Sequence, residues 1–422
     1  MNTSPTTIGN ITTRGSWRWQ DNLWTLGLYG TAVGAGTLFL PVEIGTRGPV
    51  IFLVMLLLGL PLSLLPHLLL CRVYMREEPT ENGTLPIFGS FFSGRGEKLM
   101  TLFYCITFFP VTLVYGVALV NALDNFLTEH LHMSGISRGP LTFIVVAALY
   151  VVLSKGRDKV VATMSALALP FAVSVLLIAV SLIPGWHLSN LTGAVAEVKS
   201  TPLSVTMKGI WLTLPLITFS FCCAPMVSPL TSYYREKKNE GEGKALFVLR
   251  VAYVAIFSSI IFFVLSCMLS IPHDSFTQAK AQNLNVLSVM KGSGDFSLIY
   301  YVAPFIAIIG MTKSFLGVGL SVAETFGQLA ASVSGKKAIT SKRVASLVLF
   351  LLTFGIVYAN PDVLNLIETL CGPLIAVILF LIPAYLIYTR TALSHLRGVT
   401  VFLVVLGGLA TLSALLWPLL YV

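Results

Sequence analysis

Eleven apolar runs divide this chain, at 22–42, 49–71, 99–123, 139–154, 160–184, 207–233, 245–271, 297–331, 343–359, 364–388 and 399–421. A helix crosses a bilayer in about 20 residues, so eleven crossings take roughly 220 residues and leave short connections. Inside lipid every backbone N–H and C=O must find a partner within the protein, and runs of this kind satisfy that demand as helices. The expectation is therefore an all-α polytopic membrane protein with eleven transmembrane helices in one integral domain covering 1–422. Composition agrees: 55% of residues are hydrophobic and 11% charged, where soluble domains carry about 25% charge. A secreted domain, a disordered chain and an ordinary cytosolic enzyme are excluded.

The net charge of +9 points to nucleic acid only if position is ignored. The Lys and Arg residues cluster between the apolar runs, and with the N-terminus inside, 20 of the 27 fall in inner segments, 6 in outer segments and one, Lys313, within the eighth run. That asymmetry is the signature of membrane topology. It places the N-terminus inside and the C-terminus outside, with the lipid bilayer and not nucleic acid as the large-scale partner. The outer loops near 185–206 and 272–296 are expected to carry short interfacial helices. Cys71, Cys105, Cys222, Cys223, Cys267 and Cys371 lie in or beside apolar runs without metal-ligand spacing, so reduced, unpaired thiols and no metal are expected.

Two runs carry interruptions. The first holds Gly34-Ala35-Gly36-Thr37, where glycines two apart remove side chains and loosen the helix at mid-membrane depth. The sixth holds Phe219-Ser220-Phe221-Cys222-Cys223-Ala224-Pro225. Proline lacks an N–H and its ring clashes with the carbonyl one turn earlier, which opens the helix around 221–223. Taken singly, either feature is also an ordinary device of membrane-helix packing. Taken together, interruptions in the first and sixth runs are what an inverted repeat of five plus five helices produces, with repeat one at about 22–184, repeat two at about 207–388 and an extra helix at about 399–421. In such folds opened helix ends bind substrate near the midplane. Gly34, Ala35, Gly36, Thr37, Phe219, Ser220, Phe221, Cys222 and Cys223 are the expected substrate-binding set, joined by Tyr115 of the third run, whose hydroxyl either reaches a substrate carboxylate or packs as an aromatic.

Lys313 is the most expensive residue in the chain. An ammonium at the centre of a spanning helix costs about 2.5–3.5 kcal/mol on insertion scales. The reading is that it stands where a cation would bind, on carbonyls of the opened first helix at 30–34, and that its loading and release of a proton couples transport to a proton gradient. Ser314 joins it, and Glu324, eleven residues on, is either a solvated helix end or part of a proton path. His67, the one histidine inside a run, makes a local hydrogen bond or relays protons. Glu368, at the end of the tenth run, is a candidate for an outer gate.

These residues carry a resemblance. Trp24-Thr25-Leu26-Gly27-Leu28-Tyr29-Gly30-Thr31-Ala32-Val33-Gly34-Ala35-Gly36, Phe219-Ser220-Phe221 with Pro225, Lys313-Ser314-Phe315-Leu316-Gly317, and Tyr358-Ala359-Asn360-Pro361 followed by Leu366-Ile367-Glu368 are similar to stretches of the bacterial hydroxy/aromatic amino acid permeases, above all the serine and threonine permeases. The resemblance spans nearly the whole chain. It implies an amino acid/polyamine/organocation-type fold, symport of an amino acid with protons, and an inner-membrane location. Two departures lie in the presumed pocket. The serine and threonine members have Asn-x-Ser-Pro after Phe-Ser-Phe, where this chain has Cys222-Cys223-Ala224-Pro225; after the lysine motif they have Gly-His-Tyr-Leu-Gly, where this chain has Gly317-Val318-Gly319-Leu320-Ser321. A wider, less polar pocket follows, and with it an alternative substrate, a larger or aromatic amino acid such as tryptophan or tyrosine. A membrane-embedded hydrolase lacks its motifs: H-E-x-x-H does not occur, and the single G-x-S-x-G match, Gly135-Ile136-Ser137-Arg138-Gly139, falls in the connection leading into the fourth apolar run, without the strand-to-helix turn that such a nucleophile needs. Rings of repeated charge suited to a channel are also missing, as is a G-x-x-x-x-G-K-[ST] loop for an ATP-driven pump. No cofactor is expected.

Overall fold

The computed structural model describes residues 16–76, 91–92, 94–133, 136–191, 203–236, 241–290, 297–334 and 338–416. Helices dominate, and the described residues contain no strand. In chain order they are α1 (Trp19–Ala32), α2 (Ala35–Arg47), α3 (Pro49–Tyr74), α4 (Arg95–Asn125), α5 (Arg138–Ser154), α6 (Arg157–Ser181), α7 (Leu203–Ser220), α8 (Ala224–Glu236), α9 (Gly241–Ser270), α10 (His273–Ala281), α11 (Ser297–Ser334), α12 (Ala338–Ala359), α13 (Val363–Thr389) and α14 (Val399–Leu412). Seven helices are long and apolar enough to cross a membrane, and the pair α1 and α2, bent by 50° at its break, makes an eighth candidate. Three further apolar helices, α5, the 343–359 part of α12, and α14, are shorter. Of α1 to α14, each except α10 lies on one of the eleven apolar runs, within a few residues of its ends.

The surface identifies the solvent. On α6, Leu169, Val173, Leu177 and Val180 are each 46–63% exposed at three- and four-residue spacing, a continuous apolar stripe. Leu53, Leu56 and Leu57, 40–73% exposed, form a similar stripe on α3. A water-soluble monomer does not present stripes of this kind on several helices; this is a multi-pass membrane protein whose outer helices face lipid. The most buried spans are α4, continued by a π turn at Phe126–His130, and α13, which is widened by π turns at Ile367–Cys371 and Val377–Leu381. Along α4 packs α11, which also lies against α6 and α12.

Of the loop expectations, 192–202 and 291–296 lie outside the described residues. The segment after α9 does form a short helix, α10. It packs on α2, with Phe276 buried against Gly45 and Lys280 paired to Glu43.

Close backbone approach sets the position of α13. A Cβ on Gly372 would overlap the Pro215 carbonyl of α7 and lie 2.6 Å from Pro215 Cβ, so only glycine lets these two helices meet at this distance. Gly355 on α12 has nothing within 4 Å of its Cβ position. Gly372→Ala is therefore expected to destabilise the protein by about 1–3 kcal/mol through overpacking. Gly355→Ala is expected to be neutral or stabilising by up to about 1 kcal/mol. Thermal unfolding of the purified protein in detergent checks the contrast; equal melting temperatures for the two variants would contradict it.

Candidate functional site

The first break lies at Val33 and Gly34. Val33 N–H still closes α1 on the Tyr29 carbonyl at 2.8 Å, and Thr37 N–H opens α2 on the Gly34 carbonyl at 3.1 Å. The break thus comes slightly earlier than expected, for Ala35 and Gly36 are already helical. In an unbroken helix the carbonyls of Gly30 and Val33 would accept from Gly34 and Thr37. Here the Lys313 ammonium of α11 donates to both, to Val33 O at 3.0 Å and to Gly30 O. Lys313 is 2% exposed and its Nζ stands 5.1 Å from the centre of the Phe171 ring, whose π face favours a cation. Ser314 is beside it, and a Cβ on Gly34 would come within 2.5 Å of the Ser314 hydroxyl oxygen. A side chain at 34 would force that hydroxyl to turn away.

The second break separates α7 from α8 at 221–223. Phe221 N–H and Cys222 N–H finish α7 on Ile217 O at 3.1 Å and Phe219 O at 3.2 Å. Cys223 N–H donates instead to His67 Nε2 of α3 at 3.1 Å, and the Phe221 carbonyl accepts from the Tyr253 hydroxyl of α9 at 2.8 Å. Since Nε2 accepts, the proton of neutral His67 sits on Nδ1, which donates to Ser63 O at 2.7 Å. The local hydrogen bond expected for His67 is there, with the break of another helix as its second partner.

The two breaks meet. A Cβ on Gly36 would lie 3.0 Å from the Phe219 ring and 3.2 Å from Ser220 Cα, and Ser220 Oγ reaches the Gly36 carbonyl at 3.5 Å. Tyr115 stacks obliquely on Phe219 with ring centres 5.9 Å apart. Gly34, Gly36, Tyr115, Phe219, Ser220, Lys313 and Ser314 therefore form one cluster between α2, α4, α7 and α11. Thr37 and Thr218 flank it with fully buried hydroxyls that have no protein partner among the described residues. Cys222 is half-buried, while the buried Phe221 ring packs on Phe257 and Cys223 Sγ lies 3.3 Å from the Tyr253 hydroxyl. Glu324 is not part of the cluster: it stands about 16 Å along α11 from Lys313 by helix rise and lies within electrostatic reach of Tyr104.

Charged groups tie down both ends of the broken helix. At the α2 end, Arg47 binds both oxygens of Glu368 at 2.7 and 2.9 Å, pairs with Glu43, and donates to Gly209 O and Thr213 Oγ1 of α7, each at 2.8 Å. Lys280 of α10 holds the fully buried Glu43 at 2.7 Å. At the α1 end, Asp21 and Lys244 form an ion pair of 2.9 Å in which both side chains are 2% exposed or less. Asp21 also accepts from Tyr234 of α8 and from Arg18 N–H, and the Lys244 ammonium lies 5.4 Å from the Trp17 ring. Between these two ends Lys313 is 2% and Ser220 1% exposed. Glu368 was expected at such a position. Arg47, Lys280 and Lys244 carried only topology information in the sequence, and Tyr253, Tyr234, Asp21 and Phe171 carried no signal that a single chain could reveal.

Serine transporter SdaC of Escherichia coli (strain K12) is 36% identical over 430 residues, covering 99% of this chain and 99% of the relative. Threonine/serine transporter TdcC of Escherichia fergusonii is 31% identical, covering 95% of this chain and 96% of its own. Among solved structures, MhsT in complex with L-phenylalanine shares the fold with a TM-score of 0.51 at 16% identity, covering 96% of this chain and 99% of its own. Residues 25–420, which include both breaks, Lys313 and the charged groups of the α2 end, match one family from end to end, and the chain belongs to the tryptophan/tyrosine permease family.

Proposed function

We propose that this chain is a proton-coupled symporter that carries a neutral amino acid of the serine/threonine class across the bacterial inner membrane by alternating access. The observation that carries the reading is the Lys313 ammonium seated on the Gly30 and Val33 carbonyls at the break between α1 and α2. A cation at that place holds the opened helix together. Charge-assisted hydrogen bonds are roughly twice as strong as neutral ones, so loss of the proton weakens the tie between α11 and α1 and frees the broken helix to tilt. Substrate and proton then bind to the same structural element, which is the requirement for coupling.

In this reading the carboxylate of the amino acid is held at the N-terminal end of α2, at Gly34, Ala35 and Gly36, where unsatisfied N–H groups and the helix dipole favour an anion. The unpartnered Thr37 and Thr218 hydroxyls, Ser220 and Ser314 supply polar contacts, Phe219 and Tyr115 close over the substrate, and Phe221, Cys222 and Cys223 form the wall on the α7–α8 side. Glu324 is a proton exit towards the cytoplasm. The fold is an inverted repeat of five plus five helices, about 22–184 and 207–388, with an added helix at about 399–421 and eleven spans in all. The N-terminus is cytoplasmic and the C-terminus periplasmic, so the Arg47–Glu368 cluster is the outer gate and the Asp21–Lys244 pair the inner one.

The Cys222-Cys223-Ala224 sequence favours a second reading of the substrate. Cys223 is buried and engaged by Tyr253 at 3.3 Å, which leaves only the Cys222 thiol as a polar group on that wall. A larger or aromatic neutral amino acid suits such a wall better than the serine hydroxyl.

Uptake of labelled L-serine into proteoliposomes, with unlabelled amino acids as competitors, separates the two. L-threonine is expected to compete at concentrations similar to L-serine, and L-tryptophan only at concentrations at least about tenfold higher, the equivalent of about 1.4 kcal/mol. Preferential competition by tryptophan or tyrosine would establish the second reading. In the same vesicles Lys313→Gln, which keeps a polar group but removes the titration, is expected to lose pH-driven accumulation while retaining exchange of external for internal substrate. Full pH-driven accumulation by this variant would eliminate Lys313 as the coupling residue.

A further inference from the structure

Breaking a helix in the membrane interior leaves backbone groups that nothing in lipid can satisfy. At the first break the carbonyls go to Lys313. At the second break the partners are neutral and come from two different helices. His67 Nε2 of α3 takes the Cys223 N–H at 3.1 Å, and the Tyr253 hydroxyl of α9 takes the Phe221 carbonyl at 2.8 Å and lies 3.3 Å from Cys223 Sγ. The two rings pack on each other with centres 5.0 Å apart, and His67 is turned into place by its own bond to Ser63 O at 2.7 Å. His67 is 1% exposed and Tyr253 0%. One ring accepts and the other donates, so between them they match the one N–H and the one C=O presented at either side of Cys222.

We propose that His67 and Tyr253 are positioning residues of the transport site, a two-point clamp that sets the conformation of 221–223 and so the side of the pocket that Cys222 presents to substrate. The role rests on the reading of the two breaks as the place where substrate binds. Neither residue touches the cluster of Gly36, Phe219 and Ser220 through its polar atoms; each acts through the backbone of Phe221 or Cys223. The clamp needs an acceptor facing Cys223 N–H. Glutamine can present an amide oxygen at the reach of Nε2, whereas leucine fills the volume and offers none. Loss of a single hydrogen bond to a buried N–H leaves that donor unsatisfied, which amounts to about a tenfold effect on whatever depends on its position.

Two measurements on the full-length protein in proteoliposomes test the proposal. The first is the rate at which N-ethylmaleimide alkylates Cys223 without substrate, located by fragment ions in the mass spectrum. It reads the break directly and does not depend on transport. The second is the KM and maximal rate of labelled L-serine uptake. His67→Leu is expected to alkylate at Cys223 at least about tenfold faster and to raise KM about tenfold, with maximal rate changed by less than about threefold. His67→Gln is expected to stay near wild type on both. Tyr253→Phe, which removes the donor but keeps the ring, is expected to follow His67→Leu. Equal behaviour of the Leu and Gln variants, or an unchanged KM in both His67→Leu and Tyr253→Phe, overturns the positioning role. Should His67→Leu fail to reach the membrane, Tyr253→Phe alone decides the outcome. If wild-type protein takes up no amino acid, the reading of the site fails, and the alkylation rates still show whether the clamp exists.

Discussion

An amine buried in the middle of a membrane protein and two carbonyls stripped of their helical partners are each unfavourable alone, and in this protein each satisfies the other. Lys313 donates to Gly30 O and Val33 O where α1 stops. Without the lysine the break would leave buried acceptors unpaired; without the break the lysine would have no acceptors at its depth. The rest of the arrangement follows. A Cβ on Gly34 would meet the Ser314 hydroxyl, and one on Gly36 would press on Phe219 and Ser220 of α7. The second break then lies directly against the first, through Phe219 and Ser220.

A broken helix can move as two rods only if its ends are held by contacts that can be exchanged. Both ends of the α1–α2 pair are held by charges. Arg47 and Glu43 join α2 to α7, α10 and α13, and Asp21 joins α1 to α8 and α9. Buried ion pairs of this kind add little net stability, because desolvation offsets most of their attraction, yet removing one partner is costly. Both are formed in this structure, and Lys313 and Ser220 between the breaks are buried.

Much of this was legible in the sequence, and the reason is locality. Hydropathy belongs to a window of neighbouring residues, so the apolar runs matched the described helices within a few residues. Pro225 acts on its own helix, so the opening at 221–223 was readable too. The break at Gly34 came a turn's fraction earlier than the glycines alone suggested, because the carbonyls that Lys313 engages decide which turn opens. What stayed hidden was pairing between helices distant in sequence. Arg47, Lys244 and Lys280 looked like loop charges that report topology, while the fold buries their partners Glu43 and Asp21. His67 showed itself as a histidine within an apolar run, but its partner, the Cys223 N–H, is a backbone group more than 150 residues away and has no sequence signature.

The most direct test of the account is whether the transported amino acid brings a proton with it. Wild-type protein is reconstituted into vesicles that hold a pH-sensitive dye, with no sodium on either side and equal pH across the membrane, and L-serine is added outside. The account predicts acidification of the lumen that starts with substrate entry and saturates with the same KM as uptake. Entry of labelled serine with no change in lumenal pH, or entry that requires sodium, would contradict the assignment of Lys313 as the proton-bearing group at the helix break.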